Sequence, residues 1–367
     1  MDKPMILGEP EVSYLRRFFD AVDKGVTREM QAGASLLEES LTFVLARLLD
    51  GKSTFQRMLD YPLEKLNADL EACGSGTGLT IEFETNEHKK SFESAISYAD
   101  LGIVIHWEAS VLHPAYTKAL IVQSKKLYQV NGAYTIRSGY DGFDRGQFNN
   151  LRALASKYDG GGIYYFLYNP ALNAFPEEEA KVIQAIEARL YPGMGWAHGR
   201  FPFWDPEMEY IFHRFLREYP VSFAHTGASV DAVEPDRLRD ERSAALQTRP
   251  GLRVLGLASV AALAESNKTV RKSFRLEECY RYAFSAHWWQ SSGAVPFLPL
   301  SSFVVDMVLG CSRGTTNENI IRIAEGREPD GKPPADSPGE APGLAVRHTL
   351  KITVRNTLPL MDVHFRE

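Results

Sequence analysis

The stretch Gln123-Ser124-Lys125-Lys126 follows an apolar run (119–122) inside a segment, 118–128, that otherwise reads as a buried strand. Residues two apart in a strand share a face, so Gln123 and Lys125 point one way and Ser124 and Lys126 the other. Upstream, Asp100 heads the segment DLGIVIHW (100–107), where the run of Leu, Ile and Val gives a carboxylate few structural motives. An aspartate at the end of one strand, with an amide oxygen and an ammonium on one face of the next, suits phosphodiester chemistry. The oxygens can hold Mg2+, a hard cation, and the lysine can orient water or stabilise charge developing on a phosphate. The ordinary alternatives are that 123–126 is a strand end surfacing into solvent and that Asp100 caps a turn.

A third carboxylate comes from the segment 33–51, the first strong helix signal. Leu37, Leu41, Val44, Leu45 and Leu48 recur at helical spacing and Gly51 can end it. At roughly 100° per residue, Glu38 lies beside the stripe that contains Leu41 and Leu45, whereas Glu39 points almost opposite. Glu38 is therefore the acid able to face a sheet, although most helical glutamates are simply solvated.

Helix Glu, strand Asp, then a strand carrying an x-Lys motif, a helix and a further strand: this order resembles the PD-(D/E)xK nuclease superfamily. With Gln123-Ser124-Lys125 as the third motif, it resembles the Gln-x-Lys variant of Mrr-like restriction and phage-defence nucleases. The resemblance covers about 34–170 and includes the SLT segment (Ser40–Thr42) after the acid. It implies a restriction-endonuclease-like α/β core, with a mixed central sheet flanked by helices. It also implies an endonuclease, a phosphodiester hydrolase of DNA acting in restriction or antiviral defence, with RNA as the other substrate. Glu38, Asp100, Gln123 and Lys125 would be catalytic, the first three holding Mg2+ or Mn2+. Gln123 departs from an acidic residue: it offers a neutral carbonyl, so the cation would be held less tightly. A decayed site that only binds nucleic acid, or scaffolds a defence complex, is the rival reading. His88, Lys89, Lys90, Lys126, Arg137 and Arg145 are available to grip flanking phosphates. Expected partners are DNA and either further copies of the chain or another subunit of a defence complex.

Composition is compatible with this reading and excludes others. The 367 residues carry 44% hydrophobic and 24% charged side chains, with net charge −6, so no global charge draws the chain to nucleic acid and contact needs a local basic patch. Cys73, Cys279 and Cys311 are far apart and show no metal-ligand spacing, which fits free thiols. The N-terminus has no secretory-signal pattern and no apolar run reaches spanning length, so a cytoplasmic protein with no membrane association is expected. The GSGTG stretch (74–78) lacks the lysine of a phosphate loop and reads as a flexible connection. YDGFDRG (140–146) reads as a turn despite its two acids. Trp288 and Trp289 could stack on bases, but core packing is the ordinary role of such a pair. No GxSxG elbow appears, and no motif supports a small-molecule enzyme.

Around these motifs the pattern predicts an α/β domain over 1–205 and a mainly helical accessory region over 206–326. A solvated Pro/Gly/Asp linker follows over 327–343, and a C-terminal segment (344–367) contains an alternating strand. In that strand Val346, His348, Leu350, Ile352 and Val354 share one face, and a basic set, Arg347, Lys351 and Arg355 among them, lies opposite.

Overall fold

Leu15, Phe18, Phe19, Val22, Val26 and Met30 recur three or four residues apart, and all are buried along helix α1 (Glu9–Ala32). The same spacing buries Leu41, Leu45, Leu48 and Leu49 of α2 (Glu38–Leu49) and Leu63, Leu66 and Leu70 of α3 (Leu63–Ala72). The computed structural model describes residues 7–32, 36–73, 79–87, 99–109, 114–143, 145–158, 162–190, 251–266, 273–287, 297–309, 313–327, 329 and 346–356. The GSGTG stretch, the segment 191–250, Trp288, Trp289 and nearly all of the 327–343 linker lie outside them.

After α3 come strands β1 (Leu79–Glu87), β2 (Ala99–Trp107), β3 (Tyr116–Tyr128) and the short β4 (Gly139–Tyr140). Helix α4 (Arg145–Lys157), strand β5 (Ile163–Tyr168) and helix α5 (Glu177–Leu190) follow. The second half adds β6 (Arg253–Gly256), α6 (Leu257–Ser266), β7 (Phe274–Arg275), α7 (Leu276–His287), β8 (Leu298–Pro299), a helical stretch from Leu300 to Leu309, α8 (Glu318–Ala324) and β9 (Val346–Asn356).

The main strand order is β1-β9-β2-β3-β5-β6-β8. The β9/β2 and β3/β5 pairs are parallel and the other pairs antiparallel, so the sheet is mixed, as the order of elements predicts. β5 is buried at all six positions, the signature of a strand covered on both faces. Leu101, Ile103, Leu120, Phe166, Leu350 and Ile352 form one apolar face against Phe19 of α1, Leu45 and Leu49 of α2, and Phe303, Val304 and Val308. The opposite face meets α8, where Gly102 leaves room for the Ala324 carbonyl.

Two placements differ from the sequence picture. The stretch read as a helical accessory region supplies β6, β7 and β8 to the same sheet. These strands have two to four residues, too few to show an alternating pattern. The basic-faced C-terminal strand lies in the middle of the sheet: β9 pairs antiparallel with β1 and parallel with β2. Leu350, Ile352 and Val354 are buried and Lys351 is exposed, so the alternation holds. Thr349, on the predicted outer face, is buried because α8 packs there, and its hydroxyl donates to the Ala324 carbonyl at 2.9 Å. Among the described residues no helix is long and apolar enough to cross a membrane.

Candidate active site

The antiparallel register pairs Leu101 with Val122, and one further step brings Asp100 across from Gln123. Both are buried, at 4% and 3% exposure. Asp100 Oδ2 accepts two bonds of 2.7 Å, from Gln123 Nε2 and from the Ser124 backbone N–H. The turned amide leaves Gln123 Oε1 buried with no hydrogen-bond partner. A buried carboxamide oxygen left bare is costly, and a cation beside it would remove that cost.

Glu38 arrives from another direction. It is the first residue of α2, where the positive end of the helix dipole favours a carboxylate. Glu38 Oε1 accepts from the Lys126 backbone N–H at 3.1 Å, and Oε2 lies 3.5 Å from Lys125 Nζ. Backbone N–H groups two apart in a strand point the same way, so the Ser124 and Lys126 amides face the same side of β3. That is the side where β2 begins. Two acids thus occupy consecutive same-side amides of one strand, about 7 Å apart at the usual rise per residue.

Burial pushes the Glu38 carboxyl above its usual range, and the Lys125 ammonium and Lys126 amide only partly oppose this. Asp141 pushes it in the same upward direction. That effect follows from the fold: β4 pairs Tyr140 with Leu127, which carries the 141–143 turn past Lys125. Gly142 has φ +77°, and a Cβ there would stand 3.4 Å from Lys125 Nζ. Of the YDGFDRG stretch, Tyr140 ends β4, residues 141–143 border Lys125 and Arg145 opens α4, while Asp144 lies outside the described residues. Nothing local in the sequence signals that neighbour, because the contact depends on the β3–β4 register.

The structure therefore brings Glu38, Asp100, Gln123 and Lys125 together. Of the basic residues suggested for phosphate contact, it turns Lys126 inward. Lys126 faces α2, is 2% exposed, and gives its ammonium to the Leu36 carbonyl at 2.8 Å. Burial lowers its pKa while Glu38 raises it. Lys126 fastens the entry to α2 and is no surface grip. Arg137 is exposed in the turn before β4, and Arg145 opens α4. His88, Lys89 and Lys90 lie outside the described residues.

Three hydroxyl residues given no role by the sequence, Thr42 of α2, Ser124 of β3 and Tyr168 of β5, meet beside the site. Thr42 Oγ1 lies 2.9 Å from Ser124 Oγ and 3.0 Å from the Glu38 carbonyl, and receives the Tyr168 hydroxyl at 3.1 Å. The four-residue spacing of Thr42 from Glu38 was visible, but its partners on β3 and β5 were not.

As a donor set, two carboxylates and a bare amide oxygen suit a hard divalent cation such as Mg2+ or Mn2+ and fit thiophilic metals poorly. Among the described residues no cluster of three or more His, Cys, Asp or Glu is arranged to hold a metal. A cation held by Glu38 and Asp100 would need a further donor such as the Gln123 oxygen. Comparison of the chain with protein-family models, curated proteins and solved structures finds no match.

Proposed function

We propose that this chain is a divalent-metal-dependent endonuclease that hydrolyses phosphodiester bonds of DNA. The observation that carries the reading is the pair of acids, Glu38 and Asp100, held on consecutive same-side amides of β3, with the Lys125 ammonium against Glu38 and the Gln123 amide, its oxygen bare, against Asp100. The resemblance to PD-(D/E)xK nucleases of the Gln-x-Lys type supplies the substrate class and the role in restriction or phage defence. The geometry is compatible with that chemistry.

In the reaction, water adds across a P–O bond. Its oxygen bonds to phosphorus, the bond to the leaving oxygen breaks, one proton goes to the leaving oxygen and the other to solvent. Glu38, Asp100 and Gln123 Oε1 would hold the cation. When bound, it would polarise the phosphate and make a water more acidic. Lys125 sets its ammonium 3.5 Å from the Glu38 carboxylate, where it can orient the water or stabilise the phosphate oxygens. Gly142, at φ +77°, lets the chain pass Lys125 in a left-handed conformation. Asp100, fixed by two short bonds, stays in place without reorganisation.

A second reading has its own observation. Gln123 stands where a third acid would, and the Glu38–Lys125 pair is electrostatically satisfied without a cation. A subunit keeping this fold to bind nucleic acid, alone or in a defence complex, would look the same. The two are separated by incubating the full chain with supercoiled plasmid and with single-stranded RNA, in Mg2+ and in Mn2+. The nuclease reading expects metal-dependent cutting, with Lys125→Ala losing roughly a hundredfold in turnover, as for a removed electrostatic stabiliser, and little in affinity. Binding without cutting in every condition, with Lys125→Ala merely weakening it and its salt dependence, would establish the second reading.

A further inference from the structure

We infer that the buried hydroxyl chain Tyr168–Thr42–Ser124 sets the position of the Glu38 carboxylate, and that Thr42 is its positioning residue. This rests on the reading of Glu38 and Asp100 as cation ligands and adds what holds the two acids in register.

The three hydroxyls come from three elements. Thr42 lies one turn after Glu38 in α2, Ser124 sits on β3 between Gln123 and Lys125, and Tyr168 ends β5 opposite Lys126. All three side chains are buried. Each hydroxyl has one proton and two acceptor lone pairs. Only one assignment satisfies all three contacts of Thr42. Tyr168 and Ser124 donate to Thr42 Oγ1, and Thr42 donates to the Glu38 carbonyl.

The pattern does more than satisfy buried polar groups. Around it the α2–sheet contact is apolar: Leu45 and Leu49 meet Leu101, Ile103 and Phe166. Leucine packing fixes a distance but tolerates sliding and rotation, whereas hydrogen bonds fix both. The bond from Thr42 back to the carbonyl four residues earlier ties the Thr42 side chain to the first helical turn, and that turn carries Glu38. Ser124 then joins the two acids. Its N–H holds Asp100 and its hydroxyl holds the helix that delivers Glu38. One residue of β3 thereby references both carboxylates.

A group that orients a metal ligand without touching the metal typically changes affinity ten- to a hundredfold when removed. The test is Mn2+ binding to the full chain by calorimetry, for the wild type and for Thr42→Val, Thr42→Ser, Ser124→Ala and Glu38→Gln, with thermal melting of each metal-free protein alongside. Thr42→Val keeps the shape and removes the acceptor of two buried hydroxyls. It is expected to weaken Mn2+ binding about tenfold or more, Thr42→Ser to restore it to near wild type, and Ser124→Ala to shift it in the same direction as Thr42→Val. A Thr42→Val protein that melts lower but binds Mn2+ as the wild type does would overturn the inference, since the hydroxyls would then serve packing alone. Should Thr42→Val fail to fold, Ser124→Ala decides by the same criterion. If the wild type binds Mn2+ and Glu38→Gln weakens it while neither hydroxyl variant does, this inference alone fails. If the wild type binds none, the cation site fails and this inference with it.

Discussion

At the scale of single residues the informative side chain is Gln123. Its amide nitrogen is bonded to Asp100 and its oxygen is bare, so the same group donates a hydrogen bond to one acid and offers a neutral oxygen to a cation. Gln123→Glu changes both functions in opposite directions. Without metal, the donor to Asp100 is lost and two carboxylates meet in a buried position, which should destabilise the chain by about 1–3 kcal/mol. With metal, a third charge strengthens the cation site. Melting in chelator and in millimolar Mg2+ is expected to place the variant below the wild type in the first case and to shift it upward by more in the second. Equal Mg2+-induced shifts would mean that Gln123 does not face the cation. These four residues were legible because the two regular periods are local: alternation puts Gln123 and Lys125 on one face, and the helical angle picks Glu38 over Glu39. The role of Lys126 was not. Its sequence neighbourhood is that of a surface cation, and only the packing of α2 over β3 turns its ammonium toward the Leu36 carbonyl.

At the scale of elements, the order of helices and strands through the first 190 residues follows from periodicity, and so does the alternation of β9. Pairing does not. The insertion of β9 between β1 and β2 joins residues more than 230 apart in the chain, and no local pattern encodes such a partner. One residue marks the consequence. Gly102, two positions after Asp100, has no side chain because α8 crosses β2 there, and a methyl group would overlap the Ala324 backbone. The Ala324 carbonyl is held against the sheet by Thr349 of β9, so α8 cannot retreat freely. Gly102→Ala is therefore expected to destabilise the protein by about 1–3 kcal/mol, the usual range for overpacking. Chemical denaturation measures this directly, and a stability equal to that of the wild type would mean that α8 does not rest on this strand.

At the scale of the whole molecule, the two halves of the chain are joined by buried polar contacts that sequence could not reveal. The Asp23 carboxylate of α1 accepts from the Leu252 N–H at 2.8 Å, Thr27 Oγ1 from the Gly251 N–H at 3.3 Å, and Asn169, after β5, donates to the Gly251 carbonyl at 2.6 Å. Next to them, Arg253 of β6 pairs with Glu187 of α5, which also accepts from the Tyr280 hydroxyl of α7. The segment entering β6 is thus pinned to α1 and to the end of β5 by groups that must be bonded because they are buried. Asp23 is the acid among them with a raised pKa. Burial pushes its pKa up to about 8, against the opposing effects of Arg253 and the Leu252 N–H. Its unfolded value is near 3.8, so between these limits the folded chain keeps a proton that the unfolded chain releases. Stability then falls as pH rises through this window, by at most about 1.4 kcal/mol per pH unit, and levels off above the folded pKa. Asp23→Asn keeps an acceptor for Leu252 and removes the ionisation. Its stability relative to the wild type is expected to improve steadily from pH 5 to pH 8 and to level off beyond, as read by denaturant unfolding at each pH. A difference that stays constant across that range would show that Asp23 ionises as readily in the folded chain as in the unfolded one, and that α1 is tied to the second half without the strain of a buried acid.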